Sequence, residues 1–133
     1  MQIKDIIAVS GVGGLSRLAS SRSNGLLLEN LDTGKTKFFS TRKHQFTPLE
    51  TVSIYTMMDT AELKEVLSSM KALEETTPIP TSKESNDILS VYFEKVLPEY
   101  DKDRVYPSDI KKIIKWYSIL KEKGLLEGTD EEE

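Results

Sequence analysis

The chain has 133 residues, 38% hydrophobic and 30% charged, with a formal net charge of −4. That composition suits one ordinary folded domain or two small ones, and excludes both a wholly disordered chain and a large substrate-enclosing enzyme. Without any cysteine, it has no disulfide framework, thiol nucleophile or cysteine-ligated zinc or iron–sulfur centre.

No apolar run approaches the roughly 18 residues of a membrane span, and "MQIKDII" lacks the apolar stretch of a signal peptide, so a cytoplasmic protein with no membrane contact is expected. Charge is unevenly spread: through Thr56 there are 7 Lys and Arg against 4 Asp and Glu, and beyond it 11 against 18. Five of the late acids fall in the terminal "EGTDEEE", residues 127–133, expected to be a solvated, disordered tail.

The first element, "IIAVSGVGGLSR" (6–17), runs from an apolar strand into three closely spaced glycines. A dinucleotide-binding turn needs a third glycine where Ser16 stands, followed by a crossover helix, yet only about seven residues separate the glycines from the turn-forming Ser23-Asn24-Gly25. A Walker A loop is excluded because "TGKT" (33–36) lies between two strand-like runs instead of opening a helix. The glycines therefore read as turn residues.

Short strands are expected at 6–10, 15–19, 26–30 and 35–39, with turns at Gly11–Gly14, "SRSNG" (21–25) and "LDTG" (31–34), and a fifth strand at 51–56 after a longer loop. Five strands at this spacing predict a small SH3-like antiparallel β-barrel over 1–56, making the fold class α+β.

Helical signals follow. Asp59 with Glu62 resembles a capping box, and Leu63, Val66, Leu67, Met70 and Leu73 form a helical apolar stripe that ends before Pro78 and Pro80. Residues 57–80 are thus a linker helix and Pro-containing connector, and 81–126 a helical domain. Its first helix, capped by Ser85, carries Ile88, Leu89, Tyr92, Phe93, Val96 and Leu97 on a wide apolar face. The second opens near Pro107 and Ser108, carries Ile110, Ile113, Ile114, Tyr117 and Leu120, and ends at Gly124.

A helical hairpin of this size is expected to bury too little surface alone, so it should lean on the preceding helix, on the barrel or on a second copy as a homo-oligomer. Six aromatics (Tyr92, Phe93, Tyr100, Tyr106, Trp116 and Tyr117) read chiefly as its core. Ile119 falls about opposite the stripe and Trp116 at its edge; facing solvent, the two would mark a protein contact, and otherwise a third element covers them.

Catalytic and metal chemistry find little support. Asp101 and Asp103 begin like a calcium loop, but Val105 and Lys112 stand where ligands are needed and the central glycine is missing; Lys102 and Arg104 are expected to pair with neighbouring acids, or the acids to cap the next helix. The single histidine, His44, has no second histidine or carboxylate cluster for a metal and no evident nucleophile beyond nearby Ser40 and Thr41. No cofactor, metal or catalytic residue is expected. Arg17, Arg22, Lys35, Lys37, Arg42 and Lys43, near Phe38, Phe39 and Phe46, could form a nucleic-acid surface with phosphate contacts and base stacking, although the modest local excess of positive charge favours a solvated rim with buried rings.

The stretch "DIIAVSGVGGLSRLASSRSNGLLLENLDTGK", together with "VSIYT", "LKEVL" and "DRVYPSDIKKIIKWY", resembles a family of uncharacterised bacterial proteins with a domain of unknown function. The resemblance implies an N-terminal SH3-like barrel followed by a small helical domain, and implies no activity. Members often carry "SGKPGLY" after the first strand where this chain has "SGVGGLS", so any role of that turn resting on Lys, Pro or Tyr would not carry over. The expectation is a non-enzymatic binding or adaptor protein mediating protein–protein contact through Trp116 and Ile119, with RNA or ribosome association through the basic residues as the alternative.

Overall fold

A computed structural model describes residues 3–126; the acidic segment 127–133 lies outside the described residues. Seven strands and three helices follow in the order β1 (Ile6–Val9), β2 (Ser16–Arg22), β3 (Gly25–Asn30), β4 (Thr36–Ser40), β5 (Phe46–Pro48), β6 (Ser53–Tyr55), β7 (Thr60–Glu62), α1 (Leu63–Leu73), α2 (Asn86–Val96) and α3 (Pro107–Glu122). The α+β class is as expected.

The first sheet is antiparallel and five-stranded, in the order β4-β3-β2-β1-β5. It does not close: β4 and β5 are its two edges. Apolar alternation explains why β1 lies inside the sheet. Successive side chains face opposite ways, so Ile6 and Ala8 pack into the core shared with the helices, while Ile7 and Val9 join Leu28 and Phe39 in a smaller cluster on the other face. A strand buried on both faces must be apolar throughout, which "IIAV" is.

Three expectations about the strands change. Residues 20–22 belong to β2 rather than to a turn: Ser20, Ser21 and Arg22 pair with Leu27, Leu26 and Gly25, past a register irregularity at Ala19. A polar run can pair along its backbone as well as an apolar one when its partner supplies the apolar side chains, leaving Ser23-Asn24 as the connection. A strand unforeseen in the sequence, β5, pairs with β1 (Val9↔Phe46, Ile7↔Pro48); Pro48 fits there because β5 is an edge. The expected fifth barrel strand is instead β6, which pairs with β7 in a separate two-stranded ribbon.

That ribbon also relocates the start of α1. Asp59 does not cap the helix; its amide donates to Thr56 Oγ1 at 2.9 Å, its carbonyl accepts from Thr56 N, and together they turn β6 into β7. The apolar stripe nevertheless lies where periodicity puts it, with Leu63, Val66, Leu67 and Met70 buried.

For α2, Ser85 Oγ accepts from Ile88 N at 3.4 Å as the cap. Ile88 itself is 48% exposed and leaves the expected apolar face. At the start of α3, which opens at Pro107 as expected, the Asp109 carboxylate accepts from Tyr106 N at 2.9 Å. At its end Gly124 takes φ +72°, and Leu125 N bonds back to Leu120 O at 2.8 Å. Four of the six aromatics named above, Tyr92, Phe93, Tyr100 and Tyr117, are buried as core, whereas Tyr106 is exposed.

One continuous core joins Ile3, Ile6, Leu15 and Leu49 from the N-terminal region to Leu67, Met70, Phe93, Ile114, Tyr117 and Leu120. The support that a two-helix unit needs is therefore supplied within the chain, by α1 and the back of β1. A polar clasp reinforces the helical side: Glu74, just past α1, accepts from Tyr117 Oη at 2.9 Å and pairs with Lys121 of α3. Those two hydrogen bonds hold the Glu74 carboxyl below its ordinary pKa of 4.5, and burial together with Glu74 pushes the Tyr117 phenol up.

Candidate functional site

Helix α3 crosses the molecule so that one of its faces looks across a cleft at the glycine turn. The cleft has a volume of about 730 Å³, within the range of small-molecule and peptide pockets. One wall is the end of β1 with Ser10–Gly14 and Thr47 of β5; the other is α3 with Lys112, Trp116 and Ile119; Ile54, Tyr55 and Val105 line it as well. Ile54 and Val105 are buried, Trp116 and Ile119 half-buried. The two residues singled out at the edge of the helix stripe thus pack partly on the core and partly line the opening.

The glycine turn stands opposite them because of its backbone. Gly11 and Gly14 adopt φ of +75° and +78°, a region costing other residues about 1–2 kcal/mol. A Cβ built on Gly11 or Gly13 would meet nothing within 4 Å, so this wall is backbone facing open space. It is pinned from behind: Ser10 N donates to Gln45 O at 2.9 Å, and Gln45 N donates to Ser10 Oγ at 2.8 Å.

The other end of the cleft is set by Asp101. Its backbone amide donates to Tyr55 O at 2.9 Å, one carboxylate oxygen accepts from Asp103 N, and the other pairs with Arg104 Nε at 3.2 Å. This holds the guanidinium 5.1 Å from the centre of the Tyr55 ring, in cation–π range. The pair of aspartates that opens like a calcium loop is therefore a turn device, and no cluster of metal-ligating side chains occurs among the described residues. Lys102 pairs with Glu94 at 2.8 Å, which raises its pKa. Both cations find acids, as expected.

The six basic residues proposed for nucleic acid are distributed differently. Strand register puts Arg17, Phe38 and Arg22 on one face of the first sheet and Lys37 on the other, with Lys35 in the β3–β4 turn and Arg42 and Lys43 in the turn after β4. Arg17 lies opposite Glu29, with charged atoms 3.9 Å apart, and Lys37 Nζ is 5.5 Å from the centre of the Phe39 ring. Phe39 is buried and Phe46 half-buried, leaving Phe38 at 40% exposure. His44 Nδ1 is 3.2 Å from Ser10 O, and its ring stands edge-on to Phe39.

Two family models match successive stretches of the chain. The family model described as Domain of unknown function (DUF6852) matches residues 52–120, and Domain of unknown function (DUF5606) matches residues 3–49. The chain belongs to the DUF6852 family. A solution NMR structure from Bacteroides vulgatus, a structural-genomics target, is 36% identical with a TM-score of 0.74, over 95% of this chain and 90% of that one. No curated protein matches. In this DUF6852 chain the boundary between the two family models falls just before β6, so the cleft draws one wall from each matched region.

Sequence reasoning missed Tyr55, Arg104, Lys112 and Lys115 as cleft residues. A signal existed for the last two: Lys112 and Lys115 lie four residues and one residue before Trp116, on adjoining turns of one helix. Nothing local in the sequence brings them to the glycines.

Proposed function

We propose that the protein is a non-enzymatic binding or adaptor protein that docks a partner protein in the cleft between α3 and the glycine turn. The observation carrying this reading is Trp116. A half-buried indole, packed on the core yet lining an open cleft with Ile119, is the anchor type that dominates protein interfaces. Three cations on the cleft, Arg104, Lys112 and Lys115, complement a partner of opposite charge.

In the same reading the N-terminal sheet is an open SH3-like barrel of a bacterial protein, with α2 and α3 as a helical hairpin beside it. Five short antiparallel strands and the second cluster of Ile7, Val9, Leu28 and Phe39 support this. A cytoplasmic location agrees with the cysteine-free sequence. No helix among the described residues is long and apolar enough to cross a membrane.

The test is affinity purification of the tagged protein and of Trp116→Ala from native cell extract, each with and without nuclease. Partners that survive nuclease and are lost from a folded Trp116→Ala variant are expected. Partners that vanish with nuclease and depend on Arg42 and Lys43 would overturn the reading in favour of RNA association.

A further inference from the structure

Resting on the cleft as a docking site, we propose that its occupant is an extended acidic segment of the partner protein. Its carboxylates meet Lys112, Lys115 and the bare amides of the glycine turn, and one apolar side chain lies against Trp116.

Charge is the first argument. On the helical side Lys102 pairs with Glu94, Lys121 with Glu74 and Lys123 with Asp32, while Lys83, Lys95 and Lys111 have no ion-pair partner among the described residues but do not line the cleft. Lys112 and Lys115 line the cleft, are exposed, and have no ion-pair partner among the described residues. Asp109 is the one carboxylate lining this cleft among the described residues, and it is occupied in capping α3. Arg104 uses Nε on Asp101 and keeps its terminal donors. An acidic occupant neutralises an unmatched positive rim, whereas a basic one would set cation on cation.

The opposite wall offers matching donors. Val12 N bonds to Val9 O, but the amides of Gly11, Gly13 and Gly14 have no acceptor among the described residues. With no side chain and open space at Gly11 and Gly13, an acceptor can approach the backbone directly there, whereas the Asp32 carboxylate stands beside Gly14 and pairs with Lys123.

Dimensions decide the form of the occupant. The face of α3 on the cleft runs from Asp109 through Lys112 and Trp116 to Ile119, about 15 Å at 1.5 Å per residue. At about 3.3 Å per residue that length takes roughly five residues of extended chain. A nucleic acid would want a longer track of cations along its phosphates than this one helix face offers.

Fluorescence polarisation on the full chain tests this with a labelled peptide of about eight residues, Glu and Asp around one central Leu. Controls are the same peptide with Gln and Asn for its acids, the same acids around Gly, and a single-stranded oligouridine. The acidic Leu peptide is expected to bind roughly tenfold tighter than the amide version, and to lose about tenfold against Lys112→Glu with Lys115→Glu. Arg22→Glu, on the far part of the sheet, should leave it unchanged, and circular dichroism should confirm that each variant is folded.

Equal binding of the amide peptide, retained affinity in the double variant, or tighter binding of oligouridine would each overturn the acidic occupant. If no peptide binds while a nuclease-resistant partner still depends on Trp116, the acidic segment is wrong and the docking site stands. If the peptide binds folded Trp116→Ala as well as wild type, the docking site itself is wrong.

Discussion

Replacing Gly25 by Ala tests the tightest approach in the sheet. A Cβ at this position would stand 2.2 Å from the backbone oxygen of Phe39 and 2.6 Å from Cζ of Phe38. The Phe38 ring can swing away, but the oxygen belongs to the paired strand. An ordinary carbon–oxygen contact is about 3.3 Å, so β3 and β4 must separate locally by about 1 Å. That displacement disturbs the Gly25↔Ser40 and Leu26↔Phe39 pairs. Overpacking costs about 1–3 kcal/mol and each weakened hydrogen bond about 0.5–1.5, against a gain of about 0.4–1 from a stiffer unfolded chain; a net loss of about 2–4 kcal/mol is expected. Gly13→Ala, with open space and no positive φ, should instead stabilise by about 0.4–1 kcal/mol. Gly11→Ala, at φ +75°, should lose about 1 kcal/mol, the left-handed strain less the entropic gain. Urea unfolding followed by circular dichroism, with unchanged m-values, measures all three. A Gly25→Ala variant within about 0.5 kcal/mol of wild type, or less affected than Gly11→Ala, would refute the close approach.

Three further outcomes are expected. Leu49→Ala, which opens a cavity at a fully buried point between sheet and helices, should cost about 2–5 kcal/mol and lower one cooperative transition; two separate melting steps would show that the core does not act as a unit. Because Lys121 and Tyr117 hold the Glu74 pKa down, the clasp stabilises above pH 4.5 and its contribution is lost as pH falls through the lowered value; Glu74→Gln should flatten that acid limb, and an unchanged limb would count against the clasp. Tyr92 Oη is buried without a partner among the described residues and burial raises its pKa from 10.0 to about 12, so stability is unaffected by its ionisation below pH 10.0 and is lost as pH rises from there through about 12. Tyr92→Phe should therefore be neutral or stabilising by up to about 1 kcal/mol at neutral pH and should reduce the alkaline loss; a clear destabilisation at neutral pH would show that the hydroxyl is bonded after all.

Residues whose signals are local settled much of this architecture in the sequence. The 3.6-residue stripes of α1 and α3, the Ser85 cap and the Gly124 stop lie where chain-level physics puts them, because each is satisfied by neighbours within one turn. The glycine turn was legible as a turn for the same reason.

Three-residue strands are different. "FTP", "SIY" and "TAE" are too short to declare a partner, and any free edge would accept their backbone groups. Only the packed chain decided that β5 extends the sheet at β1, that β6 leaves it for β7, and that Asp59 turns a ribbon instead of capping a helix. The cleft belongs to that second class. Its glycines, Tyr55 and the α3 lysines are separated by dozens of residues in the sequence, and they come together only because the shared core of β1 and the helices leaves α3 facing the end of β1 across the cleft.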